Sequence, residues 1–222
     1  MYENILVQSK LFRGFTEDEV HSVLGCLKAV PKKYRKGSYI LETGETTDSM
    51  GIILEGAVQV VNEDYWGERQ ILGMFTQGQL FGESYACMGN VPLTVSAVAA
   101  EDCAVMMLKA HGVFTACTSS CEYHHRMIEN LVMILAGKNL ILTRKIDHIS
   151  RKTIRGKVLS YLSYEAGRQK GSSVEVPFNR QQLAEYLAVD RSALSAELSR
   201  MQKEGIITFK KNHFILHREI EE

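Results

Sequence analysis

The stretch that decides the fold is residues 178–205, which read FNRQQLAEYLAVDRSALSAELSRMQKEG. Asn179, with Gln182 three residues later, has the spacing of a helix capping box. Asp190 is a second N-cap residue, and Gly205 is the residue type that closes a helix in the left-handed conformation. The stretch therefore predicts two short helices joined by a tight turn, which is the helix-turn-helix arrangement.

The segment that follows this motif predicts a wing. Residues 206–209 and 213–216 are apolar runs on either side of the polar turn Lys210-Lys211-Asn212, a pattern typical of a β-hairpin. In a helix-turn-helix the second helix enters the major groove, and its N-terminal residues meet base edges. The sequence therefore predicts a winged helix-turn-helix that reads DNA.

The predicted DNA contacts fall into two classes. An arginine at the start of the second helix can donate two hydrogen bonds to guanine, and short hydroxyl side chains beside it are versatile partners for bases. The predicted base contacts are Arg191, Ser192 and Ser195. Cations elsewhere in the motif position the domain on phosphates without reading sequence. The predicted phosphate contacts are Arg180, Arg200, Lys210 and Lys211.

A long helix precedes this domain and predicts a dimer. From about Ser119 to Ile149 there is no proline or turn cluster, and apolar residues repeat with a heptad period. The a positions are His125, Val132, Asn139 and Ile146, and the d positions are Ile128, Leu135, Leu142 and Ile149. We expect this coiled-coil seam to join two copies of the chain, with Asn139 fixing the register. The alternative is one buried helix in a monomer.

A second apolar row on this helix is predicted to pack on the domain that comes before it. That row consists of Met127, Leu131, Ile134 and Ile141. The preceding segment, from Val30 to Leu108, has short apolar runs separated by glycines, which is typical of an antiparallel sandwich or barrel. The separating glycines are Gly37, Gly44, Gly56, Gly67, Gly78, Gly82 and Gly89. A capped amphipathic helix is predicted before it, from about Thr16 to Leu27.

Composition narrows the class of protein. The chain has 222 residues and is 45% hydrophobic, enough for one large or two modest cores. No apolar run could span a bilayer and no signal peptide is recognisable, so we expect a cytoplasmic protein that does not engage membranes. Residues 1–149 hold 13 Lys and Arg against 17 Asp and Glu, whereas residues 150–222 hold 13 against 9. The basic second part suits phosphates.

Together these features resemble the catabolite activator and fumarate-nitrate reduction regulators, the Crp/Fnr family. The resemblance covers nearly the whole chain, through the glycine-punctuated roll, the turn at Phe81-Gly82-Glu83, the long helix and the helix-turn-helix. It implies an α+β fold: a double-stranded β-roll like that of cyclic-nucleotide-binding domains at 1–118, a dimerisation helix at 119–149 and a winged helix-turn-helix at 150–222. It also implies a homodimer on a palindromic operator, and contact with RNA polymerase if the protein activates transcription.

The resemblance places an effector pocket in the roll and against the long helix. Its expected residues are Gly82, Glu83, Ser84, Leu93, Thr94, Leu142 and Thr143. Members that bind cyclic AMP have Arg-Ser ten residues after the Gly-Glu turn, whereas this chain has Leu93-Thr94. A leucine cannot neutralise a phosphate, so we expect weak or no binding of cyclic AMP and leave the effector unknown.

The cysteines leave a second type of effector open. Oxygen-sensing members carry an N-terminal cysteine cluster for an iron-sulfur centre, and this chain has no cysteine before Cys26. The helical spacing of Cys117, Cys121, His124 and His125 is compatible with zinc, haem or a redox site. The alternative, which we favour, is that small cysteines pack at a helix start. Cys26, Cys87 and Cys103 lie in apolar contexts and are expected in the core.

Two other classes of function agree less well with the sequence. A regulatory module could bind a nucleotide in its roll and grip a protein partner with its C-terminal domain, although the basic second helix argues against this. An enzyme is not expected, because the sequence has no Walker loop, no Gly-x-Ser-x-Gly elbow and no two-histidine metal motif on a strand. The effector, the operator, the regulated genes and the direction of regulation are left open by the sequence.

Overall fold

The computed structural model describes residues 2–63, 66, 69–114 and 122–217. It divides into two compact units, Met1–Ala136 and Gly137–Glu222, and each is described by itself. Both units combine helices with antiparallel sheets. The α+β fold class predicted from the sequence is therefore confirmed.

The first unit opens with two short helices, α1 (Glu3–Gln8) and α2 (Glu17–Leu24), separated by a 3-10 turn at Lys10–Phe12. Thr16 and Glu19 form the predicted capping box at the start of α2, since each accepts a hydrogen bond from the other's backbone N–H. The helix ends at Leu24, three residues earlier than expected, and Lys28 follows in the left-handed conformation.

The roll consists of two four-stranded antiparallel sheets. Their strand orders are β1-β8-β3-β6 and β2-β7-β4-β5, with bounds β1 (Val30–Tyr34), β2 (Tyr39–Leu41), β3 (Ser49–Glu55), β4 (Val58–Glu63), β5 (Arg69–Phe75), β6 (Leu80–Phe81), β7 (Ser96–Ala99) and β8 (Cys103–Lys109). Two short helices, α3 (Glu83–Met88) and α4 (His111–Phe114), accompany them. Ile53 and Val105 of one sheet are buried in one cluster with Val58 and Ala97 of the other, so the sheets share a core.

The glycines that punctuate the sequence lie where the backbone needs them. Six of the seven adopt positive φ, which a residue with a Cβ atom adopts only at a cost. They are Gly37, Gly44, Gly56, Gly78, Gly82 and Gly89, while Gly67 lies outside the described residues. At these six positions the glycines of the sequence therefore mark backbone that favours glycine.

The long helix α5 (Glu122–Ser150) packs its first half on the roll and the N-terminal helices. Met127, Leu131 and Ile134 are buried in that core as expected. Asn130 donates hydrogen bonds to the carbonyls of Leu11 and Arg13, which fixes the N-terminal segment on the helix. The fourth expected member of this row, Ile141, was wrongly assigned, because it is 60% exposed and lies beyond Ala136, where the first unit ends.

The second unit contains the last turns of α5 and the remaining elements of the chain. These are α6 (Ile154–Gln169), β9 (Ser173–Glu175), α7 (Arg180–Tyr186), α8 (Arg191–Lys203), β10 (Ile207–Lys210) and β11 (His213–Leu216). The predicted hairpin is present, and β9 adds a third antiparallel strand in the order β10-β11-β9. Leu183, Leu194, Leu198 and Phe214 meet in one buried core.

The cysteines do not share one environment. Cys103 is buried and Cys87 half-buried, whereas Cys26 is exposed. The core placement expected for Cys26 is wrong, because this residue lies in the turn that follows α2, with its side chain outside the packed face of the helix.

Within the described ranges, no helix is both long and apolar enough to cross a bilayer.

Candidate nucleic-acid interface

The first helix of the motif, α7, is capped as the sequence predicts. The Asn179 side chain accepts a hydrogen bond from the Gln182 N–H at 2.9 Å, and the Gln182 side chain accepts one from the Asn179 N–H at 2.8 Å. Leu183 and Ala184 form its buried face. The turn that follows contains Ala188 at a φ of 49°, which lets the chain reverse tightly before α8.

The second helix, α8, begins at a cap that leaves Arg191 facing solvent. Asp190 accepts hydrogen bonds from the Ala193 N–H and from the Ser192 hydroxyl, and these bonds lower the pKa of its carboxyl group. Leu194 and Leu198 point into the core, so the opposite face of the helix is exposed. Within the described residues, the exposed Arg191 side chain makes no hydrogen bond or ion pair. It is a cation held available at the start of the helix that enters the major groove in this motif.

The two serines predicted beside Arg191 are placed differently. Ser192 is exposed, and its hydroxyl donates to Asp190. Ser195 is half-buried, and its hydroxyl donates to the Arg191 carbonyl at 2.9 Å. Because each hydroxyl uses its proton within the helix, both present acceptor lone pairs to an incoming partner. Their role as base contacts stays a prediction.

The four predicted phosphate contacts divide into two pairs. Lys210 and Lys211 are exposed at the wing turn, with no side-chain ion pair in the part of the chain that the structure describes. Arg200 forms an ion pair with Glu197 at 2.9 Å. The Arg180 guanidinium lies 4.9 Å from the ring centre of Phe209 and 5.8 Å from that of Phe214, and burial lowers its pKa. Arg180 thus joins α7 to the wing by a cation–π contact.

A concave surface connects these elements. A cavity of about 600 Å³ lies between the start of α7 and the wing turn. It is lined by Pro177, Phe178, Asn179, Arg180, Gln182, Lys211 and Asn212. Two cations and several amide groups therefore line one depression at the edge of the motif.

Sequence reasoning missed two residues that hold the motif together, Arg155 and Lys157 in the first turn of α6. Arg155 donates from Nε to Glu197 at 2.7 Å and from Nη2 to Glu204 at 3.0 Å. These hydrogen bonds raise its pKa. The Lys157 ammonium donates to the carbonyls of Leu187 and Ala188, each at 3.2 Å. No local spacing signals these contacts, because their partners lie 30 to 49 residues further along the chain.

The part of the predicted effector pocket that lies in the roll is assembled around α3. Gly82 precedes the helix in the left-handed conformation, and Glu83 is buried at its first position. The Tyr85 hydroxyl, which sequence reasoning missed, lies 2.6 Å from the Thr94 hydroxyl. Ser84 is exposed.

Position 93 is occupied by a buried leucine. Leu93 is only 4% exposed, and its backbone exchanges hydrogen bonds with Gly44 and Glu45 at 2.8 Å each. The side chain is therefore fixed inward with no ionisable group. The two other predicted pocket residues, Leu142 and Thr143, are exposed in the second unit, where the Thr143 hydroxyl donates to Asn139.

The predicted dimer seam leaves a row of apolar side chains in solvent. Val132, Leu142 and Ile146 are each more than half exposed, and Asn139 is exposed between them. Ile128 and Leu135 are half-buried because they also contact the core of the first unit, and Ile149 is half-buried. Such a row on one helix is unusual for a surface that stays in water.

Of the four candidate metal or redox residues, the structure describes the two histidines. Cys117 and Cys121 lie outside the described residues. His124 is buried, whereas His125 is exposed and lies 3.3 Å from Glu129. The two histidines therefore face different surroundings. In the described ranges, no three His, Cys, Asp or Glu side chains are grouped as a metal site would need.

Comparison with known proteins gives a domain match for both parts. Residues 31–120 match the cyclic nucleotide-binding domain, and residues 156–221 match the Crp-like helix-turn-helix domain. The transcriptional activator protein FnrL of Cereibacter sphaeroides is 20% identical over 83% of this chain and 75% of its own length. Human cGMP-dependent protein kinase 2 is 24% identical over 74% of this chain, which spans only 21% of the kinase.

A solved structure supports the fold. The c-di-GMP responsive global regulator CLP of Xanthomonas campestris matches with a TM-score of 0.61 over 91% of this chain and all of its own length, at 15% identity. At that identity the likeness concerns the fold alone.

The contact between Arg180 and the wing generates a stability prediction. Replacing Arg180 by Gln removes the cation from two aromatic rings, and we expect the free energy of unfolding to fall by about 1 kcal/mol. Arg180→Lys keeps the charge but loses the planar stacking, so it should lie between Gln and the parent. The measurement is urea unfolding followed by circular dichroism, with the exposed Lys210→Gln as the matched control. Equal midpoints for all four proteins would contradict the contact.

Proposed function

The chain belongs to the Crp/Fnr family of transcription regulators, and on this basis we propose that it is a sequence-specific DNA-binding regulator switched by an effector in its roll. The observation that carries the proposal is Arg191, an exposed guanidinium without an ion pair among the described residues, at the start of α8. Guanidinium groups at this place in a helix-turn-helix reach guanine edges with two hydrogen bonds. Lys210 and Lys211 add phosphate contacts from the wing.

The proposed regulator is a homodimer that binds a palindromic operator. The exposed apolar side chains at seam positions of α5 support this, because pairing with the same helix of a second copy would bury them. Two copies related by a two-fold axis present two α8 helices, which matches two half-sites of a palindrome.

The proposed effector is not cyclic AMP. A cyclic phosphate needs a cation or several donors, and Leu93 supplies a buried apolar side chain where the family's nucleotide-binding members have arginine. The buried Glu83 and the paired hydroxyls of Tyr85 and Thr94 instead suit a ligand rich in hydrogen-bond donors. We therefore propose an uncharged or cationic small molecule. The comparisons favour neither a protein-binding module nor a metal sensor.

The first test of this function is DNA selection. Binding sites are enriched from a random duplex library, and affinity for the enriched duplex is then measured by fluorescence anisotropy at several salt concentrations. Arg191→Ala should weaken binding to the enriched duplex by about 1–3 kcal/mol, while binding to random DNA changes little. Lys211→Ala, as the matched control, should weaken both and reduce the salt slope by about 1. The proposal fails if no sequence is enriched or if Arg191→Ala preserves the ratio of the two affinities.

The second test concerns the dimer. Ile146 is 62% exposed and lies on the seam, whereas Met133 is 69% exposed and lies off it. Ile146→Glu should give a monomer in analytical ultracentrifugation, since two buried carboxylates would face each other across the seam. Met133→Glu should leave the dimer intact. A dimer that survives Ile146→Glu would show that the seam lies elsewhere.

The third test concerns the ligand. Titration calorimetry of the full chain with cyclic AMP should show no binding, because Leu93 offers a phosphate no positive charge. A cyclic-AMP-binding protein titrated in the same buffer provides the control. Micromolar binding would refute the proposed class of effector and return cyclic AMP to consideration.

A further inference from the structure

The last turn of α5 contains a buried histidine that the DNA-reading function does not account for. His148 is 3% exposed, although it belongs to the helix that the sequence assigns to dimerisation. It lies in the second compact unit, two residues before α5 ends. A histidine is rarely buried so completely without a specific set of partners.

Hydrogen bonds fix the protonation state of this ring. His148 Nδ1 lies 2.9 Å from the Ser160 hydroxyl oxygen, and that hydroxyl donates to Asp147 Oδ2 at 3.2 Å. Because Ser160 gives its proton to the carboxylate, it accepts from His148, so Nδ1 carries the hydrogen. Nε2 is left as a bare lone pair, and it has no hydrogen-bond partner among the described atoms. The arrangement therefore favours the neutral imidazole, because a proton added at Nε2 would be buried without an acceptor among the described atoms.

Three tyrosines surround the ring. The ring centres of Tyr161, Tyr164 and Tyr186 lie 5.7, 5.7 and 6.3 Å from that of His148. Two further contacts hold the same turns of α5: the Arg144 guanidinium donates to the Tyr164 hydroxyl at 2.6 Å, and the Lys145 ammonium lies 5.4 Å from the Tyr186 ring centre. The end of α5 is thus anchored to α6 and α7 by one aromatic cluster.

Helix α6 connects this cluster to the DNA-reading helices. Ser160 and Tyr164 of α6 face α5, while Arg155 in its first turn holds Glu197 and Glu204 of α8. Lys157 holds the carbonyls at the turn between α7 and α8. A shift of α5 on α6 would therefore be felt at both helices of the motif.

We propose that His148 is a positioning residue that anchors the end of the long helix to α6, and that its protonation releases this anchor and weakens DNA binding. The inference rests on the proposed DNA-binding function and adds a mode of regulation to it. His148 touches no DNA in this scheme, since it is buried within the unit. It acts through Ser160, α6 and the contacts of Arg155 and Lys157.

Burial of the His148 ring decides the sign of the pH effect. Burial lowers the pKa of His148, and Arg151 acts in the same direction. Asp147 and Glu165 oppose this, but the net shift is downward. Arg144 and Lys145 of α5 and Arg168 of α6 are the other cations near the cluster, whose rings are those of Tyr161, Tyr164 and Tyr186.

A lowered pKa means that the anchored state binds fewer protons than the released state. The anchor is therefore at full strength above the ordinary histidine pKa of about 6.5 and weakens as the pH falls below it. At pH 5.5 the protonated form of a released histidine outnumbers the neutral form by about ten to one. The loss of DNA affinity at that pH therefore has a ceiling of about tenfold.

The experiment compares DNA affinity at pH 8.0 and 5.5 for the full chain on the enriched duplex. His148→Asn can still donate to Ser160 from the place of Nδ1 but cannot be protonated. The variant loses the ring contacts with the tyrosines at both pH values, so the readout is the ratio of the affinities at pH 8.0 and pH 5.5. We expect this ratio to be larger for the parent than for His148→Asn, by a factor that approaches tenfold. His21→Asn is the matched control, because His21 is an exposed histidine of α2 outside the seam, and its ratio should equal that of the parent.

The outcomes separate this inference from the proposed function. Identical pH profiles for the parent and His148→Asn would overturn the inference while leaving DNA binding intact. If none of the proteins binds DNA at either pH, the proposed function fails and DNA regulation by His148 fails with it. The anchor itself is then decided by hydrogen exchange of residues 155–164: faster opening at pH 5.5 in the parent but not in His148→Asn supports it, and equal opening overturns it.

Discussion

Burial of one side of α5 is the constraint on which both compact units depend. In the first unit, Met127 and Leu131 complete the core that the roll and the N-terminal helices share. In the second unit, His148 fills the space between α6 and α7. A single uninterrupted helix thus contributes to two separate cores, and its exposed apolar side chains lie between those two segments. This explains why the heptad pattern is strong in the sequence although several of its apolar residues stay exposed within one chain.

Much of this fold could be predicted because it depends on local rules. The capping pairs at Thr16 and Asn179, and the positive φ of the turn glycines, follow from residues one to four positions apart. Periodicity alone could not decide which turns of α5 face which core, so Ile141 was misplaced. Cys26 was misplaced because an apolar neighbourhood in sequence does not show where a helix stops. Contacts such as Arg155 with Glu204 and His148 with Ser160 join distant residues and leave no periodic signal.

The basic character of the C-terminal half is a weaker guide to DNA contacts than its charge count suggests. Arg155 and Arg200 are engaged with carboxylates, and Arg180 lies against two rings. A cation that already has a partner gives up that interaction before it binds a phosphate. Its net contribution to the free energy of DNA binding is therefore small. Among the predicted contacts, those that remain available are Arg191 at the start of α8 and the two lysines of the wing turn. The structure therefore separates the predicted cations into available ones and ones already engaged.

Under the proposed function, the roll is a case in which a shared fold carries a different ligand. Residues 31–120 of this chain match the cyclic nucleotide-binding domain, and this likeness reflects the packing of two sheets and the glycine turns. Ligand choice depends on far fewer positions. A buried leucine in place of a cation leaves a bound phosphate without a compensating charge. This makes the free energy of binding less favourable by several kcal/mol. For the choice of ligand, one substitution of this kind outweighs the similarity of the whole sandwich. An effector shifts a protein between two conformational states only through the difference in its affinity for them, so a ligand that binds neither state has no effect. The pocket chemistry at Glu83, Leu93 and Thr94, rather than the fold, is therefore the guide to the effector.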